Sequence, residues 1–502
     1  MVKVSVMKQS IVSLAIAAFL SNALVASAQD IQQQNEPGGP PATRKAAPPA
    51  ALPPRPLNMP KPISYKMPNG LMVVLLEDHR VPFVTFQLGM RAGDSADPKA
   101  LPGLAAITAD MLNEGTAHRT SKQIASEIDF IGGAMKATAD PDFTILSGSG
   151  LSKYQDRFFD IVSDVLLNPS FPEDELKLEK TNLLQELTMK RSQPDFLADE
   201  RFHKVVFGNT PYAVLTPTKE SIEKITQADL KAFHDNKYVP NASTLVVVGD
   251  FNLDKMKALI EKSFGGWHSG AMPETADNNA PAQTGRKIYL IDRPGSVQSS
   301  VKIGNVGIKK NDADFFPAIV ANQILGGSSN SRLFLNIREQ KGYTYGAYSN
   351  FAARKQPGEF YAGGSVRSAV TAPSLQEFLY ELDRIRKLPV SSQELSSAKN
   401  YLVGSFQLGF ETQGGVAQRL LEQQMYDLPS DYLGTYADKV LAVTPDDVRR
   451  VARNHIDLNN LVITVVGDAK QIEPELMYFA PVDVYDTNGS LVRETKEAAN
   501  HS

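Results

Sequence analysis

The chain has 502 residues, 42% of them hydrophobic, with 52 basic and 56 acidic residues, a formal charge of −4 and no cysteine. This composition suits a water-soluble globular protein of two to four domains. The charge balance gives no bias towards nucleic acid or an anionic membrane, and the missing thiols exclude disulfides, a cysteine nucleophile and a lipid-anchored cysteine.

The N-terminus reads as an export signal. Lys3 and Lys8 precede the apolar stretch Ile11 to Leu20, and Ala26-Ser27-Ala28 offers a small-residue cleavage site. Residues 1–28 are therefore expected to be removed. The expected destination is the periplasm, with release outside the cell left open. Residues 29–62, rich in Pro, Gln and Ala, lack the apolar residues a core needs and read as an extended tether.

The first folded unit spans 63–268. LMVVLLED (71–78) and FVTFQLGMRAG (83–93) read as strands joined by a turn at His79 to Pro82. Helices are expected at Gly103–Asn113, Ser121–Ile131, Tyr154–Leu167 and Glu173–Arg191, with a strand at Thr144–Gly148. His79 in its turn and His234 on a later helix read as surface residues, and Trp267 packs near the unit's end. Residues 269–285 carry no periodic apolar pattern and read as a linker. The second unit, 286–487, repeats the first. STLVVVGD ending at Asp250 matches NLVITVVGD ending at Asp468, Asp229 matches Asp447 at the same offset, and Leu176 matches Leu395 at an offset one larger. Each apolar run follows a helix with a Thr cap. Within the second unit Ser331–Gln340 reads as a helix ended by Gly342, and Tyr343–Phe351 as an aromatic strand. Residues 488–502 are polar and read as a frayed tail. Strands and helices are partly segregated, so the fold class is α+β, each sheet covered by helices on one face.

Two segments carry the chemistry. In GLAAITADMLNEGT (103–116), Leu104, Ile107, Met111 and Leu112 share the apolar face of a helix. Side chains four apart on a helix point the same way, so two His at that spacing can grip one metal while a Glu between them polarises a bound water. The segment resembles the inverted zinc motif His-x-x-Glu-His of the M16 peptidases, the pitrilysin, insulinase and mitochondrial processing peptidase family. In register, the first His falls on Ala106, the Glu on Ala109 and the second His on Asp110, while the third family ligand falls on Glu186 and is retained. Two carboxylates without an imidazole make a poor zinc site, so no metal is expected on this chain. The seven His contain no His-x-x-x-His pair.

The other segment is GGSSNSRLFLNIREQKGYTYGAYS (326–349), which resembles the C-terminal half of the same family. There an Arg and a Tyr at this spacing close over the zinc of the N-terminal half and bind substrate backbone. The resemblance places them on Arg338 and Tyr345. A guanidinium and a phenol are donors able to hold a peptide carbonyl and the oxyanion that develops on it.

The resemblance implies two tandem M16-like domains with a processing-peptidase-like fold. Two functions remain open. The chain is either the non-zinc subunit of a heterodimeric M16 peptidase, inactive alone and paired with a paralogue carrying Zn2+ on an intact His-x-x-Glu-His, or a structural or peptide-holding pseudopeptidase. The substrate in either case is a peptide or unfolded protein. A stand-alone hydrolase finds no support, since there is no Gly-x-Ser-x-Gly elbow and no Cys.

Overall fold

The computed structural model describes residues 60–274 and 279–494. The expected export signal and nearly all of the expected tether lie outside these residues. Among the described residues no helix is long and apolar enough to cross a membrane.

The first half runs β1 (Ile63–Lys66), β2 (Met72–Glu77), β3 (Phe83–Met90), α1 (Leu104–Asp110), α2 (Ser121–Phe130), β4 (Ala134–Ala139), β5 (Thr144–Leu151), α3 (Gln155–Leu167), α4 (Glu173–Arg191), α5 (Pro194–Phe207), α6 (Lys219–Lys224), α7 (Gln227–Lys237), β6 (Ser243–Gly249) and α8 (Leu253–Phe264). The second continues with β7 (Lys287–Asp292), β8 (Gln298–Val306), α9 (Phe315–Leu325), β9 (Tyr348–Phe351), β10 (Glu359–Arg367), α10 (Thr371–Lys387), α11 (Ser392–Leu408), α12 (Gln413–Met425), α13 (Tyr432–Ala442), α14 (Pro445–His455), β11 (Val462–Gly467), α15 (Ala469–Leu476), β12 (Val482–Tyr485) and β13 (Leu491–Glu494). The fold is α+β with two mixed sheets, ordered β1-β2-β6-β3-β5-β4 and β13-β12-β7-β11-β8-β10-β9.

Five strands occupy the same places in both sheets, β2-β6-β3-β5-β4 matching β7-β11-β8-β10-β9. In each set the first pair is parallel and the second antiparallel. The Thr-capped helices before β6 and β11 carry identical devices. Thr226 and Asp229 form a capping box on α7, and Thr444 and Asp447 form one on α14. Each Thr and Asp satisfies backbone donors that the first helical turn leaves free.

Helices cover both faces of each sheet, not one as expected. The second cover is exchanged between halves. Helix α12 of the second half lies on β3 and β6, and α5 of the first half lies on β8 and β11. Val73, Leu75, Leu245 and Val247 face the first-half core, while Val74, Leu76, Val246 and Val248 share a core with Leu420, Leu421 and Met425 of α12. On the other sheet Val462 packs with Phe202 and Val206, and Val466 with Leu197 and Ala198. A strand buried on both faces needs apolar residues without alternation, which is why β6 and β11 are nearly uninterrupted apolar runs. Gly304 on β8 makes the crossing possible, because a Cβ there would sit 1.9 Å from the Phe360 carbonyl and 2.9 Å from the Phe202 ring.

Several local expectations need correction. The expected helix Gly103–Asn113 is α-helical only over Leu104–Asp110 and tightens to a 3-10 turn at Met111–Glu114. Ser331–Gln340 widens into a π-helix over Phe334–Gln340. Only Tyr348–Phe351 of the aromatic strand forms a continuous ladder; Thr344 keeps an isolated bridge to Val366 of β10, and its hydroxyl donates to the carbonyls of Ser365 and Gly346. The tail is not frayed throughout: Leu491–Glu494 pairs antiparallel with β12. His234 is buried, not a surface residue, because its ring nitrogens find Leu166 O at 2.7 Å and Asp235 Oδ1 at 2.9 Å. His79 remains exposed, bonded to Asp250. Trp267 is buried with Nε1 donating to Tyr238 O.

Candidate functional site

The segment that the resemblance aligns with the zinc motif sits on α1, whose start is held by the carboxyl of Asp97. Asp97 accepts from the backbone N–H of Gly103 at 2.6 Å and of Ala105 at 2.7 Å, satisfying donors that the first helical turn leaves free, while burial pushes its carboxyl up to about 7. Gly103 itself adopts φ +93°, where an added Cβ would lie 2.5 Å from Pro217. This junction fixes the direction in which α1 enters the fold.

Ala106, Asp110 and Glu186 line a single cavity of about 680 Å³, bounded by α1, α4 and the segment Gly208 to Pro217. Three positions singled out from sequence thus converge. Ala109 does not join them: it is fully buried in the first-half core and does not line the cavity. Val214 and Leu215 give part of the wall an exposed apolar character.

The cavity is acidic. Asp110 reaches solvent through the mouth, yet the enclosing protein, followed by the charge of Glu179, pushes its carboxyl up to about 6. Glu179 is itself shifted upward by burial and by Glu186. Deeper in, burial and the neighbouring Asp140 push Asp94 up to about 7, and its Oδ1 is buried without a partner. Glu186 is half-exposed and tied to Lys190 at 2.7 Å.

The Asp94 shift has a measurable consequence. The folded chain holds this proton to about pH 7, whereas the unfolded chain releases it near its ordinary 3.8. Between those values the native state binds more protons, so this group makes stability fall as pH rises. Asp94→Asn is neutral throughout. It is expected to be more stable than the parent at pH 8 by up to about 4 kcal/mol, the difference shrinking towards pH 4. Urea unfolding at pH 5 and pH 8 checks this, and equal midpoints at pH 8 would contradict it.

Arg338 and Tyr345 lie on the second half, either side of a turn. The π-helix that carries Arg338 is visible in the bond from Lys341 N–H to Asn336 O, five residues back. Asn336 pins the segment to α10 by donating to Glu377 and Glu381, both at 3.0 Å. Gly342, at φ +65°, reverses the chain, and Tyr343 N–H returns to Ile337 O. The backbone is therefore held on both sides while the side chains of Arg338 and Tyr345 are not. Tyr345 is 88% exposed, and Arg338 makes only a 3.5 Å ion pair with its exposed neighbour Glu339 and a stacking contact with Phe334.

The family model described as Insulinase (Peptidase family M16) matches residues 72–217, which include α1 and Glu186. The model described as Peptidase M16 inactive domain matches residues 224–402, which include Arg338 and Tyr345. The chain belongs to the M16 peptidase family. A Streptomyces coelicolor protein described as an uncharacterized zinc protease is 25% identical over 422 residues, covering 82% of this chain and 91% of its own length. A Helicobacter pylori protein described as a non-peptidase homolog is 26% identical over 408 residues, covering 80% and 92%. The crystal structure of a peptidase M16 inactive domain from Pseudomonas fluorescens superposes with a TM-score of 0.77 at 28% identity, covering 81% of this chain and 98% of that one.

The M16 family includes zinc proteases, but the residues of this chain around the α1 cavity do not fit zinc. Ala106 offers a methyl where an imidazole is needed, Asp110 and Glu186 are hard oxygen donors, and Glu186 is engaged by Lys190. Among the described residues no group of three or more His, Cys, Asp or Glu converges as metal ligands do.

Asp94, Lys190 and Phe334 are not marked by any motif in the sequence. Asp94 lies in RAGDSADP (91–98), where nothing local shows that its carboxylate is buried. Lys190 stands four residues after Glu186 on a helix, and that spacing was the available signal for the pair.

Proposed function

We propose that this M16 protein is the non-zinc subunit of a two-chain peptidase, supplying Arg338 and Tyr345 to peptide bound at a partner's zinc site. The observation that carries the reading is the asymmetry between its two sites. The cavity on α1 lacks zinc ligands, whereas the Arg338–Tyr345 turn keeps a rigid backbone beneath two exposed donors. A guanidinium whose ion pair is exposed loses little by exchanging it for a peptide carbonyl. The phenol of Tyr345 adds a second donor from across the turn.

Peptide in extended form docks by strand addition. Strand β4 is an edge of the first sheet, and its last residue, Ala139, lines the acidic cavity. Backbone bonds along such an edge give affinity without strict sequence choice, which suits unfolded chains. The partner is a paralogue with an intact His-x-x-Glu-His, and export to the periplasm places both subunits among unfolded exported proteins. That the Helicobacter pylori relative is described as a non-peptidase homolog supports a chain without its own catalysis.

The test uses the purified chain, alone and with an M16 paralogue that carries an intact His-x-x-Glu-His. Alone, it is expected to retain no stoichiometric zinc and to hydrolyse no labelled unfolded protein. With the paralogue, chelator-sensitive turnover is expected to exceed that of the paralogue alone. Chelator-sensitive turnover by the isolated chain would overturn the proposal.

A further inference from the structure

Arg338 has a long flexible side chain and needs something to aim it. Its ion pair with Glu339 spans 3.5 Å between two groups that are each roughly half in solvent, too weak a tether to fix a guanidinium. The firm contact is with Phe334, one turn earlier on the same π-helix. The guanidinium carbon lies 4.6 Å from the centre of that ring. The ring cannot move aside, because Phe334 is 4% exposed and packs against Tyr348 at 5.7 Å between ring centres. Tyr348 in turn is fitted against Gly346, where a Cβ would lie 2.6 Å from its ring. A planar cation over an aromatic face is held flat and keeps its edge N–H groups free to donate sideways.

We infer that Phe334 is a positioning residue for Arg338: its ring supports the guanidinium so that the donor edge meets the bound peptide. This rests on the peptide-binding role proposed for Arg338, and goes beyond it by assigning the orientation to one ring. The π-helix is part of the same device, since widened turns set side chains at angles that an α-helix does not provide.

A double-mutant cycle tests the inference on the full chain. The probe is fluorescein-labelled, reduced and carboxymethylated α-lactalbumin, followed by anisotropy. Phe334→Leu keeps an apolar side chain without the ring and is expected to weaken binding about two- to five-fold. Phe334→Tyr retains the ring and is expected to bind as the parent does. In an Arg338→Ala background, Phe334→Leu is expected to have no further effect, because the group it supports is gone. Equal losses from Phe334→Leu in both backgrounds overturn the inference and assign Phe334 to packing alone. Parental affinity in Arg338→Ala would instead overturn the peptide-binding role itself, so the two failures are distinguishable. Thermal unfolding of each variant separates these results from loss of fold.

Discussion

Arg338→Ala, reconstituted with a zinc-carrying paralogue, is expected to lower kcat/KM by about 100- to 1,000-fold, the cost of removing one preorganised donor to a developing oxyanion. The effect should be carried mainly by kcat. An interaction that strengthens as charge develops on the carbonyl contributes more to the transition state than to peptide binding. Tyr345→Phe, which deletes only a hydroxyl, is expected to act in the same direction. The double variant is expected to fall short of the product of the single losses, because both donors serve one carbonyl.

The same measurement separates catalyst from scaffold. Arg338 and Tyr345 anchor little of this chain's own fold, since one is bound only to an exposed neighbour and a ring and the other is 88% exposed. Substituting either is therefore expected to leave stability nearly unchanged, as for exposed positions in general. A large kinetic loss with parental stability supports a role on substrate. Parental turnover with either variant would support the reading as a structural or peptide-holding pseudopeptidase.

The parts of the fold that were legible in sequence are those written in local chemistry. The Thr-Asp capping boxes on α7 and α14 and the Gly-Asp ends of β6 and β11 repeat at nearly one offset, and the two sheets repeat accordingly. Helix α4 begins and ends where its charges and apolar residues indicate, at Glu173 and Arg191. The exchange of α5 and α12 was not legible. An apolar helical face announces that it will be buried but not which sheet receives it. The uninterrupted runs in β6 and β11 were the available clue, because a sheet covered on one side alternates.

The site divides along the same line. Ala106, Asp110 and Glu186 were placed by register, and the fold brings them to one cavity. Ala109 shares the motif position with them but lies in the core, away from the cavity. The span Tyr343–Phe351 has the aromatic composition of a strand, yet its first part makes an isolated bridge, Thr344 to Val366, in place of a continuous ladder. A polar residue on a helix is usually outside, whereas His234 is satisfied within the fold by its neighbour Asp235 and by the carbonyl of Leu166, which is distant in sequence.

The second large effect is expected from restoring ligands. Ala106→His with Asp110→His puts two imidazoles four apart on α1, on side chains that already border the cavity. The cavity, about 680 Å³, has room for both rings. The third ligand, Glu186, must leave Lys190, and a half-exposed ion pair of this kind costs only about 0–1 kcal/mol to break. Removing Asp110 also removes a carboxyl that the site disfavours in its charged form. The double variant is expected to retain one zinc per chain through gel filtration, where the parent retains none, and to lose it again when Glu186→Gln is added. Cobalt substitution should give the intense visible absorption of a four-coordinate site, with the parent colourless. Turnover is not expected to follow, since Ala109 supplies no base. A folded double variant that takes up no metal would show that positions 106 and 110 do not share a ligand face with Glu186, and the register on which the degenerate site is read would be wrong.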